Sequence, residues 1–119
     1  MLYVKNLTSP RSGRAVCNQF DIAHNDGGII KERSFQSYGS ECARLERTED
    51  GLYKLTIFHD GFYSRTTAKY LRAWLMDNVN PERVPDVLKA AKEAINAGAE
   101  KWGVAYIKGT TKVYTDFTF

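Results

Sequence analysis

A chain of 119 residues with a formal net charge of +3 is one domain on length alone, and it is large enough to bury a core. Hydrophobic residues at 43% and charged residues at 26% exclude a disordered tail, and the charge excess falls short of the dense basic face of a dedicated DNA-binding domain. Two cysteines exclude a disulfide framework, and no apolar run reaches membrane-spanning length.

Residues 1–7 alternate, with Leu2 and Val4 set against Tyr3 and Lys5, and predict a short strand. Residues 8–13 are a turn by composition. From Arg14 to Ala23 the period is two, with Val16, Asn18, Phe20 and Ile22 on one face and Ala15, Cys17, Gln19 and Asp21 on the other. The first set reads as the buried face, with Asn18 as its odd member. The run His24-Asn25-Asp26-Gly27-Gly28 predicts a hairpin, because Asp-Gly and Gly-Gly tolerate positive φ. Residues 29–38 return as a strand, bent by Gly39-Ser40, and residues 41–47 resume the alternation. After the Asp50-Gly51 turn, residues 52–59 form the next strand. These short connections imply an antiparallel meander.

Two helices follow. The first is expected over about 66–78, with Ala68, Leu71, Trp74, Leu75 and Asn78 on one stripe. The second is expected over about 81–97, with Asn80 as cap, Pro81 at its first position, and Val84, Val87, Leu88, Ala91, Ala94 and Ile95 facing the core. Gly98 stops it. Residues 102–108 and 112–119 read as a C-terminal β-hairpin around Gly109-Thr110-Thr111. The fold class is α+β in a single domain, residues 1–119: an antiparallel sheet of about four to six strands, two helices on one face, and a terminal hairpin.

The richest local chemistry lies in Tyr63-Ser64-Arg65-Thr66-Thr67-Ala68-Lys69-Tyr70-Leu71. Hydroxyls at a helix start satisfy free N–H groups, so Ser64 or Thr66 is a cap. The same groups with Arg65 and Lys69 would also suit an anion, either a phosphate or an acidic side chain. Arg11 and Arg14 add a small positive patch near the N-terminus. Asn18, Gln19, Gln36 and Ser37 form a second polar set, either a network across strands or a groove. His24, His59 and Asp60 are the only candidate acid/base groups; no nucleophile, paired-carboxylate or metal-ligand spacing accompanies them, so neither enzymatic activity nor a cofactor is expected. Cys17 and Cys42 both fall in strand-like runs and are expected as buried, reduced thiols of a cytoplasmic protein. Most aromatics, Tyr38 and Tyr63 included, read as core. Tyr3, Tyr106, Tyr114, Phe117 and Phe119 exceed what one small core accommodates, so Tyr114 and Phe117 become candidate contact residues, on a partner or across a homodimer.

Three segments taken in order, Gly13-Arg14-Ala15-Val16-Cys17-Asn18-Gln19-Phe20, Phe35-Gln36-Ser37-Tyr38-Gly39-Ser40 and the stretch from Tyr63 to Tyr70, resemble a small, functionally uncharacterised family of bacteriophage proteins. The resemblance covers about residues 9–75. It implies a phage origin and action in the cytoplasm of an infected bacterium, on a host protein or ribonucleoprotein such as a CRISPR complex, by binding and blocking. The alternative is a nucleic-acid-binding accessory protein using Arg11, Arg14, Lys31, Arg33, Arg65 and Lys69.

Overall fold

The computed structural model describes residues 2–9, 11–26, 29–47 and 52–107. Six strands cross a single sheet in chain order: β1 (Leu2–Thr8), β2 (Ala15–Asp26), β3 (Ile29–Ser37), β4 (Ser40–Arg47), β5 (Leu52–Phe58) and β6 (Lys101–Ile107). Every neighbouring pair is antiparallel. The connection from β5 to β6 carries both helices, α1 (Arg65–Asn78) and α2 (Val84–Asn96), with 3-10 turns at His59–Phe62 and Pro81–Arg83. This is the α+β architecture that the periodicity predicts, with adjustments. Tyr38-Gly39 is a complete two-residue connection and not a bend, so residues 29–47 make two strands. The second helix is shortened at its start: Asn80 accepts from the Glu82 N–H to cap a 3-10 turn, and α2 proper begins at Val84. Of the expected C-terminal hairpin, β6 is the first strand; residues 112–119 lie outside the described residues.

Register fixes which side chains share a face. One row runs Asp21, Phe35, Ala43, Ile57, Trp102, and the next runs Ala23, Arg33, Leu45, Leu55, Val104. Both rows lie under the helices and supply one continuous core. Onto them α1 presents Thr67, Tyr70, Leu71, Trp74 and Leu75, and α2 presents Val84, Val87 and Ala91. Phe35 stacks on Trp74 with ring centroids 6.5 Å apart. Each such large apolar side chain contributes roughly 1.5–3 kcal/mol on burial. Gly61 is buried where the chain leaves β5, and a Cβ there would lie 2.9 Å from Leu71 Cδ2 and 3.4 Å from the Cys42 carbonyl oxygen. Any other residue there would have to push the Leu71 methyl aside.

On β2 Val16 packs against the core as expected, but from Gln19 to Ala23 the alternation is correct in period and inverted in phase. The buried face is Gln19, Asp21 and Ala23, while Phe20 and Ile22 are half-buried on the opposite, uncovered face and Asn18 is exposed. The reason is a closed polar ring beneath α1. Trp74 Nε1–H donates to Asp21 Oδ1 at 2.9 Å, and the Arg33 guanidinium approaches the same oxygen at 3.4 Å. Arg33 also donates to Asn78 Oδ1 at 2.9 Å, and Asn78 Nδ2 donates to the Trp74 carbonyl at 2.8 Å. Lys5 adds a cation 3.6 Å from the other Asp21 oxygen. A carboxylate with these partners is accepted in a core that would reject it bare. Replacing Asp21 with Ala leaves the Trp74 N–H without an acceptor and Arg33 without its counter-charge, and is expected to lower the unfolding free energy by ~3 kcal/mol in urea denaturation. Asp21→Asn keeps the Trp74 acceptor, and its loss should be smaller.

Candidate binding surface

The three segments singled out in the sequence meet at one end of the sheet. Ser64 adopts the extended conformation of a helix cap, and its Oγ accepts from the Thr67 N–H at 3.1 Å. Its hydroxyl also reaches Thr67 Oγ1 at 3.1 Å. Thr67 Oγ1 in turn lies 2.9 Å from Ser37 Oγ. Ser37 pairs in register with Gln19, whose side chain is 1% exposed and whose Oε1 finds no donor among the described residues. The cap is therefore Ser64 and not Thr66. Thr67 is fully buried, so it belongs to a hydroxyl chain tying α1 to β3 and is out of reach of any partner.

Arg65, Thr66 and Lys69 lie outward. With Arg72, which the sequence reading did not single out, Arg65 and Lys69 form a stripe at helical spacing, diametrically opposite the buried stripe of α1. Two exposed tyrosines flank this start, Tyr63 at 71% and Tyr38 at 52%. Both correct the expectation that they pack in the core. Tyr63 directly precedes the cap. Tyr38 sits in the β3–β4 connection at φ 56°, its N–H donating to the Asn18 carbonyl at 2.6 Å and its own carbonyl accepting from Gln36 Nε2 at 2.9 Å. Asn18 is itself at φ 64°. Two adjoining non-glycine residues in the left-handed region mark a place where the backbone is held against its preference. Gly39, the residue that such a turn would normally use, is not the one at positive φ.

Arg11 and Arg14 are exposed in the β1–β2 connection, at the same end of the sheet. That loop is built by its own hydrogen bonds: Ser9 N–H to the Arg14 carbonyl, Gly13 N–H to the Ser9 carbonyl, and the Ser9 and Ser12 hydroxyls accepting from the Arg11 and Arg14 N–H groups. Arg33 leaves the basic set, because Asp21 and Asn78 hold it under α1. Tyr114, Phe117 and Phe119 lie outside the described residues. A shallow depression of about 250 Å³ on the uncovered face is lined by Leu2, Ile22, His24, Glu32 and Ser34, away from the basic end.

The candidate chemical groups are scattered. His59 and Asp60 are chain neighbours in the 3-10 turn, with Nδ1 and Oδ1 3.2 Å apart, and His24 lies elsewhere, exposed on β2. Among the described residues no three His, Cys, Asp or Glu side chains gather as metal ligands. Nor is any helix among them long and apolar enough to cross a membrane. The two thiols differ, against expectation. Cys42 is buried on β4, whereas Cys17 is exposed. Burial pushes the Cys42 thiol up to about 11.

Three outcomes follow from this geometry. Ser64→Ala should cost ~0.5–2 kcal/mol of stability and Thr66→Ala close to nothing, while Thr67→Val, which strands Ser37, should cost ~1–3 kcal/mol, all read by thermal or urea unfolding. Native-state labelling should modify Cys17 at once and Cys42 only on unfolding. Because the folded Cys42 pKa lies above its unfolded value, its stabilisation is complete below pH 9.0 and is lost as pH rises towards 11. A Cys42→Ala variant should lack that part of the alkaline slope, roughly 3 kcal/mol.

No curated protein and no solved structure matches the chain. A family model does, over residues 3–88, which runs from β1 into α2 and takes in the whole of the surface described above. That match spans well over half of the sequence, and the chain belongs to the family of unknown function DUF8033.

Proposed function

We propose that this protein is a stoichiometric binder that occupies the surface of a host macromolecule through the end of the sheet carrying Arg11, Arg14, Tyr38, Tyr63, Arg65 and Lys69. The observation that carries the reading is the pair of exposed tyrosines beside an outward arginine at the start of α1. Tyrosine and arginine are the residues over-represented where binding energy concentrates; tyrosine presents a large contact area from a side chain of limited freedom, and arginine a planar fork of donors. Here the scaffold is fixed in advance. The hydroxyl chain of Ser37, Thr67 and Ser64 locks the helix start, and the Asn18–Tyr38 backbone bond locks the turn. Preorganisation of this kind lowers the entropic cost of association. The resemblance to bacteriophage proteins points to a bacterial partner, a defence ribonucleoprotein such as a CRISPR complex being the class expected.

Arg65, Lys69 and Arg72 at helical spacing also favour a second reading, in which the stripe follows a phosphate backbone as a nucleic-acid accessory protein would. Affinity capture from nuclease-treated bacterial lysate separates the two. A protein partner should survive nuclease and moderate salt, and a nucleic-acid partner should be lost with either. Tyr38→Gly tests the surface itself. Glycine relieves the positive φ, so the variant should be at least as stable as the parent by thermal unfolding, yet capture should fall at least tenfold. The charge reversals Arg65→Glu and Lys69→Glu should weaken capture in the same way. Undiminished capture by all three variants, or covalent change of the target at strongly substoichiometric amounts of this protein, would overturn the reading.

A further inference from the structure

We propose that the outer edge of β1 pairs with the same edge of a second copy of this chain, antiparallel, about a two-fold axis at Val4. Among the described residues β1 is hydrogen-bonded to β2 alone, and no described strand pairs with its other edge. Soluble proteins normally blunt such an edge with charge, proline or a bulge. The stretch Leu2–Asn6 has neither proline nor bulge, and only one charge. It runs in unbroken register against His24–Phe20, and the irregularity comes only between Asn6 and Thr8. Its single charge, Lys5, is already turned to Asp21. Leu2, Tyr3 and Val4 are 62%, 53% and 56% exposed, three consecutive large side chains on both faces of one strand.

The occupant follows from symmetry and charge. A two-fold axis normal to the sheet keeps like faces together, so opposed residues must share a face and the axis must fall on a residue. The regular stretch Leu2–Asn6 is centred on Val4. Pairing there sets Tyr3 opposite Lys5 of the second copy, a favourable aromatic–cation neighbour pair, and Leu2 opposite Asn6. Moving the axis to Lys5 would set two lysines face to face, and that register is rejected. On the uncovered face, Leu2 and Val4 of both copies then join the half-buried Phe20 and Ile22 in one apolar strip across the seam. Burial of a few side chains per copy is small for a specific interface, so the dimer should be reversible on dilution.

The full chain should be followed by sedimentation over a wide concentration series. Its average mass should climb from monomer to dimer, and Val4→Lys, which brings two cations together on the axis at an exposed position, should raise the concentration needed at least tenfold with an unchanged circular dichroism spectrum. As an independent measurement, Val4→Cys in a Cys17→Ser background should form an intermolecular disulfide under mild oxidation, whereas Thr8→Cys should not. A monomer at all concentrations overturns the proposal. So does a dimer indifferent to Val4→Lys that Val4→Cys fails to cross-link. A monomer whose Val4→Lys variant loses a different, captured protein would give the edge to a foreign strand and overturn it equally.

Discussion

The position of α1 depends on one buried carboxylate. Asp21 lies in the middle of β2 under the helix, and every group around it is a donor from a different part of the chain: the Trp74 indole from α1, Arg33 from β3, Lys5 from β1. Remove the acid, and the indole N–H is left in a low-dielectric layer with nothing to accept it, while Arg33 keeps only Asn78 to offset its charge. Hydrophobic burial alone would let a helix slide or rotate over a sheet at small cost, because apolar contact has little direction. Hydrogen bonds of stated length do not allow that. The ring through Asn78 fixes the C-terminal half of α1, and the Ser37–Thr67–Ser64 chain fixes its N-terminal turn. Pinned at both ends, the helix has one outward face, and that face is the basic stripe.

Much of the fold was legible from local pattern. The apolar stripe of α2 stands as the spacing implied, the break at Asn80-Pro81 is where cap chemistry places it, and Gly98 takes the left-handed φ of 104° expected at a helix end. The phase of β2 was not legible. Phe20 and Ile22 point to the uncovered face, because Asp21 is drawn inward by a tryptophan 53 positions away and by an arginine on the next strand. No window along the chain contains those partners. The Tyr38 turn was hidden for a related reason: Gly39 attracts the reading, but the Asn18 carbonyl holds the residue before it. Of the candidate site, Arg65, Lys69, Arg11 and Arg14 were visible as cations near punctuated loops. Tyr38 and Tyr63 were not, since an aromatic in a strand or at its exit looks the same to periodicity whether it faces core or solvent.

Polar groups of the open face are largely occupied with one another. Arg44 is held by Glu41 and Glu32 and lies over the Phe58 ring at 5.7 Å from its centroid, and the Ser34 hydroxyl reaches Glu41. The side of the sheet without helices thus divides into a self-satisfied ionic centre and an apolar margin along β1 and β2. The end of the sheet is different again, with aromatic and cationic side chains on a hydrogen-bonded frame. Edge and end are separate regions of the molecule, and an antiparallel pairing along the edge would send the two ends in opposite directions.

The helical excursion between β5 and β6 has a kinetic side. Strands β1 to β5 are joined by short connections, and each can find its neighbour by local search. The pairing of Phe58 with Lys101 instead encloses residues 59–100, so closing that loop costs about 2 kcal/mol more than closing a hairpin of a few residues. The helices must be close to their final places before β6 gains anything by docking, because Trp102 and Val104 bury against the same core as Val84, Val87 and Ala91. A nascent five-stranded meander therefore leaves the hydrogen-bonding edge of β5 open until β6 arrives. Strand β6 acts as a latch, and its arrival is the step that covers an aggregation-prone edge of β5.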